Sequence, residues 1–184
     1  MRDEWVIVID FLPKGRIGMQ RSEPIAQTLG EKYFSLLEVI PREDLELPVG
    51  ERVYIGEGKR DKVRYIRGRI SYQDLTVSSK QELNNVVEKI VDSDPKRFVD
   101  FYNNAGPVTN RLHQLELIPG VGKKHLWDII DARKEKLFES FEEISQRVKL
   151  LPDPKKMIIR RILDELEDKD KYKLFVSSGL QKQY

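Results

Sequence analysis

Two periodicities divide the chain. Up to about residue 78 the apolar positions fall in short runs rich in β-branched and aromatic residues, separated by Gly, Pro and Ser. WVIVIDF (5–11) would place Trp5, Ile7, Ile9 and Phe11 on one side of a strand. The loop PKGRIGMQRSEP (13–24) follows, then IAQTL (25–29), YFSLLEVI (33–40), VYIGE (53–57) and VRYIRGRISY (63–72). Five strands with turn signals between them fit a small barrel or sandwich better than a βαβ layout. Gly56 and Gly68 lie inside strands, where glycine marks a bulge or a barrel corner.

Beyond residue 78 the apolar spacing becomes helical. Ser79 followed by Glu82 reads as a capping box, and Leu83, Val86, Val87, Ile90 and Val91 then share one face. Asp94 with Pro95 starts a second helix as N-cap and first helical residue, and Gly106-Pro107 ends it. The remainder reads helical to about Glu167, so the change of period divides the chain into domains 1–78 and 79–184. Within the second, LELIPGVGKKHLWDII (115–130) and VKLLPDPKKMIIRRI (148–162) form a weak repeat: apolar run, Pro, short turn, Lys-Lys, apolar helix. The second copy carries Asp153 and Pro154, an N-cap and first-turn pair, where the first has glycines.

The first copy concentrates the candidate chemistry. Pro119 stops a helix expected from about Thr109, because its ring cannot occupy a helix interior. Gly120 and Gly122 permit unusual backbone angles and close approach. A helix beginning near Gly122, with Leu126, Ile129 and Ile130 inward, exposes amides that lack intrahelical partners at the positive end of its dipole. Lys123 and Lys124 add full charge there, which suits a phosphate. A plain turn between two helices explains the glycines equally well, but it leaves two lysines in a mildly unfavourable place.

The stretch NRLHQLELIPGVGKKHLWDIIDARK (110–134) resembles a helix-hairpin-helix motif, in which hairpin amides and the basic residues behind them grip a sugar-phosphate backbone without reading sequence. By that resemblance the gripping roles fall on Gly120, Val121, Gly122, Lys123 and Lys124. Many members carry Ala where His125 or Leu126 stands, so the packing of the two helices can differ. The hairpin covers 118–124, and with a degenerate second copy at 148–167 the region resembles a tandem helix-hairpin-helix domain. Over nearly its whole length the chain is similar to an uncharacterised archaeal family of predicted RNA-binding proteins. That family joins an OB-like barrel to tandem helix-hairpin-helix units and ends in a motif like KYKLFV (171–176). The resemblance implies an α+β chain: a five-stranded OB-like β-barrel over 1–78, then an all-α domain carrying the hairpins.

KRDKVRYIRGR (59–69) holds six basic residues against one acid. As a regular strand it puts Val63, Tyr65, Arg67 and Arg69 on one side and Arg64, Ile66, Ile70 and Tyr72 on the other, unless a bulge at Gly68 changes the register. A ring between cations on a barrel surface can stack a base while the charges follow phosphates, whereas basic residues guarding a sheet edge are the plainer explanation. Lys14, Arg16 and Arg21 of the first loop would extend such a patch.

Composition narrows the classes. Charged residues make up 35% of the 184, yet the net charge is only +2, so an anion site has to be local. Cysteine is absent, which removes disulfides and thiolate chemistry. No apolar run approaches a membrane span, and the N-terminal MRDEWVIVIDF is unlike a signal peptide, so a cytoplasmic protein without membrane association is expected. His125 with Asp128 is too few ligands for a metal site, and Asp128 is better read as the partner of Lys124. No nucleophile elbow, Walker loop or metalloprotease motif occurs, and the acids at 164–170 alternate with lysines like a solvated surface. Trp5 and Trp127 read as core. The expectation is a nonenzymatic nucleic-acid-binding protein without cofactors, RNA favoured over DNA by resemblance, using Gly120 to Lys124 and the strand residues Arg64, Tyr65, Arg67 and Arg69. The alternative is an adaptor docking a protein of the ribosome or the transcription machinery.

Overall fold

The structure, a computed structural model, describes residues 2–18 and 22–177. The chain forms two compact units, Met1–Val86 with Glu165–Tyr184, and Val87–Asp164; the divisions fall inside helices, whereas the change of period falls at residue 78.

The first unit is built on β1 (Trp5–Leu12), β2 (Ile25–Gly30), β3 (Leu36–Pro41), β4 (Arg52–Tyr54) and β5 (Val63–Arg69), close to the five expected strands. They form one curled antiparallel sheet in the order β4-β1-β2-β3-β5. It is a half-barrel: among the described residues no ladder joins the edge strands β4 and β5. The inner face packs Val6, Val8, Ala26, Leu37, Val39, Val53 and Val63 into one cluster. Ile7 and Ile9, expected to share a face with Trp5 and Phe11, are buried as well. A register shift between Val8 and Asp10 returns Phe11 to the inner cluster beside Val6 and Val8. Trp5 is half-buried rather than core, its ring 5.0 Å from that of Tyr54 and 3.8 Å under the Arg52 guanidinium.

α1 (Val77–Ser93) starts two residues before the expected cap. Thr76 caps it, its hydroxyl accepting from the Ser79 amide at 3.0 Å. Ser79 is fully buried and donates to the Gln27 side chain at 2.7 Å. Gln27, also fully buried, takes a further bond from the Thr76 amide and gives two, to Glu38 and to the Asp74 carbonyl, so its amide group is satisfied. The expected apolar face of α1 is buried from Leu83 to Val91.

In this unit the segment after α5 (Pro154–Leu166) is pinned by one buried carboxylate. Glu165, 1% exposed, accepts from the amides of Leu174, Phe175 and Val176 at 2.7–2.9 Å. The KYKLFV motif thus has a structural use here, and Glu165 is no member of a solvated acidic surface.

In the second unit Asp94 caps α2 (Pro95–Asn104) as expected, accepting from the Arg97 amide. The helix expected from Thr109 to Pro119 is absent. Pro107–Thr109 (β6) and Leu112–His113 (β7) pair as a small hairpin, and only a 3₁₀ turn at Gln114–Leu117 fits before Pro119. α3 (Lys123–Glu135), α4 (Phe141–Arg147) and α5 follow, packed on a core that includes Phe98, Tyr102, Leu115, Ile118 and Ile129. The fold is therefore mixed α+β, but its helical part is not all-α, and no helix leads into the hairpin at Gly120.

Candidate functional site

The turn into α3 is fixed from both sides. Upstream, the buried Arg161 donates to the Leu117 carbonyl at 3.0 Å. Downstream, a ring nitrogen of His125 donates to the Gly120 carbonyl at 3.2 Å. Gly120 has φ +94°, a conformation L side chains rarely adopt, so glycine is required there. Gly122 differs: its φ of −89° suits any residue, and an added Cβ would meet nothing within 4 Å. The fold itself does not ask for glycine at 122.

Gly122 is the N-cap of α3 and offers no capping side chain. Leu126 is the first amide with a helical acceptor, the Gly122 carbonyl at 2.9 Å. Among the described residues the amides of Lys123, Lys124 and His125 have no acceptor. The start of α5 shows the same kind of terminus already filled. There the Asp153 carboxylate accepts from the amides of Lys155 and Lys156 at 3.0 and 3.1 Å.

The five hairpin residues do not act alike. Gly120, Gly122, Lys123 and Lys124 are exposed, whereas Val121 is buried and its amide is used by the Ile118 carbonyl at 3.1 Å. Val121 is thus an anchor for the turn, with neither side chain nor amide available. Lys123 is held by Glu116 at 2.6 Å, which also accepts from the His113 amide at 2.9 Å. The ammonium and that amide lower the Glu116 pKa, keeping it ionised. Burial, then the positive charges of Arg133 and Lys123, lower the pKa of His113, whose Nδ1 accepts from the Leu115 amide. Lys124 does not pair with Asp128; among the described residues no carboxylate lies within 4.0 Å of it. One of the two lysines is therefore free.

Trp127, expected in the core, is instead 58% exposed on α3, one turn beyond Lys123 and Lys124. It follows the three residues with open amides on the same helix. Its i+4 spacing from Lys123 is a signal the sequence does contain, masked by the usual burial of tryptophan.

The basic strand is rearranged by two bulges. Leu37 faces Arg69, Val39 faces Ile66, Ile40 faces Tyr65 and Pro41 faces Val63, which leaves Arg67 and Arg64 as the extra residues. Since cross-strand partners share a face, Arg69 lies on the inner side with Leu37, while Tyr65 lies on the opposite side with Ile40. The expected row of Tyr65, Arg67 and Arg69 beside Val63 is broken. Acids from distant strands and loops also occupy it: the Tyr65 hydroxyl donates to Glu23 at 2.8 Å, and that bond raises its pKa. Arg64 stands 4.0 Å from the same carboxylate. Buried Glu38 takes both Arg67, at 3.3 Å, and Arg16, at 2.7 Å. Lys14 is exposed, and Arg21 lies outside the described residues.

Among the described residues no group of three or more His, Asp or Glu could hold a metal ion, and no helix is long and apolar enough to cross a membrane.

Residues 2–177 match the family model described as protein of unknown function, DUF655. The chain is 46% identical over 176 residues to uncharacterised protein MJ0038 of Methanocaldococcus jannaschii, covering 95% of this chain and 80% of that relative. It is also similar to the crystal structure of Af1531 from Archaeoglobus fulgidus, itself described as a DUF655 model. That match has 47% identity and a TM-score of 0.86, over 95% of this chain and all of that one.

Proposed function

The chain belongs to the DUF655 family, and we propose that it is a nonenzymatic nucleic-acid-binding protein whose first turn of α3 receives a backbone phosphate. The observation that carries this reading is the contrast between two helix starts in one unit. At α5 the chain supplies its own anion, Asp153, to the first amides. At α3 the N-cap has no side chain, and among the described residues the equivalent amides are open and Lys124 is unpaired. A phosphate there would accept from the amides of Lys124 and His125, with Lys124 adding charge. The resemblance noted above favours RNA over DNA, and exposed Trp127 offers a ring on which an unpaired base can stack.

The half-barrel is read as an open relative of the OB-like barrel, and its basic strand adds less than composition implies. Tyr65 and Arg67 already satisfy Glu23 and Glu38, so they are the weaker part of the site.

A second reading, docking of a protein partner, is favoured by the same exposed Trp127 with Leu137 and Leu150, also exposed in this unit. Lys124→Glu separates the two. Lys124 has no partner to lose among the described residues, so the fold stays intact, and RNA affinity falls about tenfold or more if a phosphate sits there. Unchanged affinity for single-stranded RNA, measured by fluorescence anisotropy at one fixed salt concentration, would favour the adaptor. Reversing Lys123 is a poorer test, because it sets a second carboxylate against Glu116.

A further inference from the structure

A groove of about 430 Å³ opens on the inner face of the half-barrel, away from the residues used above except Arg69. Its floor is apolar, from Leu37, Ile55 and Ile66, and the Tyr54 ring forms one wall. Tyr54 is held in place because its hydroxyl accepts from the Gly58 amide at 3.2 Å and its ring lies over Gly56, where any Cβ would come within 2.6 Å of the ring. Three arginines, Arg2, Arg60 and Arg69, line the groove together with three acids, Asp3, Glu4 and Glu57. Among the described residues none of these arginines has a carboxylate within 4.0 Å: Arg60 donates through Nε to the Gly56 carbonyl, and Arg69 reaches only the Ser177 carbonyl, at 3.5 Å. Arg16, Arg52, Arg64 and Arg67, in the same unit, are all paired with carboxylates.

Ser35, one of the lining residues, carries a buried polar atom without a partner among the described residues. Ser35 is 3% exposed, its amide donates to Asp3 and its carbonyl accepts from Gly30, yet its hydroxyl bonds to nothing among the described residues. A buried hydroxyl left unmade is costly, so a ligand that reaches it gains. Asp3 lies close by, but its oxygens accept from the amides of Lys32, Tyr33 and Ser35 and not from this hydroxyl.

We infer that this groove is a binding site for a nucleoside 5′-monophosphate, either free or as the phosphorylated end of an RNA strand. Guanidinium forks match the phosphate, the apolar floor and Tyr54 ring suit a flat base, and Ser35 meets a hydroxyl or ring nitrogen of the nucleoside. The volume lies in the range of small-molecule sites. The inference goes beyond the reading of the hairpin and does not rest on it.

The test uses the full chain with Trp127→Phe, which leaves Trp5, in contact with Tyr54, as the single tryptophan reporter. UMP, AMP, inorganic phosphate and an oligouridine with or without a 5′-phosphate are titrated while Trp5 emission is followed. The expected result is saturable change with UMP or AMP, weakened about tenfold or more in Arg60→Ala/Arg69→Ala and several-fold in Ser35→Ala, each variant keeping a cooperative thermal transition. Arg2→Ala, an exposed surface change, gives an independent weakening. Tighter binding of the 5′-phosphorylated oligouridine than of UMP assigns the strand end, and the reverse assigns the free nucleotide. No response to either nucleotide or to the phosphorylated strand at millimolar concentration overturns the inference. So does a response that inorganic phosphate reproduces in full, or one indifferent to the arginine changes.

Discussion

Gly122→Asp turns the comparison of the two helix starts into a single experiment. The new side chain would be an N-cap carboxylate in backbone that already has the extended N-cap geometry, φ −89° and ψ −178°, with open space around it. It would accept from the amides of Lys124 and His125 as Asp153 does from Lys155 and Lys156. Asp in place of Gly at an N-cap, together with its charge at the dipole's positive end, stabilises by about 0.3–1 kcal/mol. For a chain of 184 residues that raises the melting temperature by roughly 1–4 °C. The same carboxylate occupies the place of the phosphate and repels it. Loss of one charge-assisted bond, about 1.5–3 kcal/mol, weakens binding by roughly 10–150-fold. Calorimetry and anisotropy on one preparation read both numbers. A variant that is stabilised and still binds RNA normally refutes the phosphate assignment, and a variant that is destabilised refutes the capping argument beneath it.

Glu116 gives the hairpin a pH dependence with a definite sign. Its folded pKa is lowered by Lys123 and the His113 amide, so its contribution is complete above its ordinary value of 4.5 and is lost as pH falls through the lower folded value. The melting temperatures of the wild type and Glu116→Gln should therefore differ above pH 4.5 and converge below; a constant difference would refute the ion pair. Glu165→Gln keeps one acceptor where three amides were served, which costs about 2–4 kcal/mol and releases the segment at 171–177. Hydrogen exchange should accelerate at Leu174, Phe175 and Val176, and unaltered protection there would contradict the clamp.

The five strands were legible because short alternating runs between Gly- and Pro-rich turns state their own period and length. The faces of β1 and β5 were not, since a bulge adds one residue and moves every later side chain across the sheet. Leu112, Leu115 and Ile118 have helical spacing, yet the strand pair at 107–113 takes the first and a 3₁₀ turn the second, leaving too few residues before Pro119 for a helix. Ion pairs were the least visible feature. Glu23 lies 42 residues from Tyr65 and Glu38 lies 29 from Arg67, so the compensation of the basic strand depends on strand pairing that composition does not reveal. Asp153 was legible as a cap because capping is local. Its significance for binding emerges only beside the uncapped start of α3.

The most direct measurement is the amide ¹H–¹⁵N spectrum of the isotope-labelled chain during titration with single-stranded RNA. The account predicts that the amides of Lys123, Lys124 and His125 shift progressively and saturate, while those of Lys155 and Lys156, already bonded to Asp153, stay in place. RNA that binds elsewhere and leaves the first turn of α3 unmoved, or RNA that does not bind at all, contradicts it.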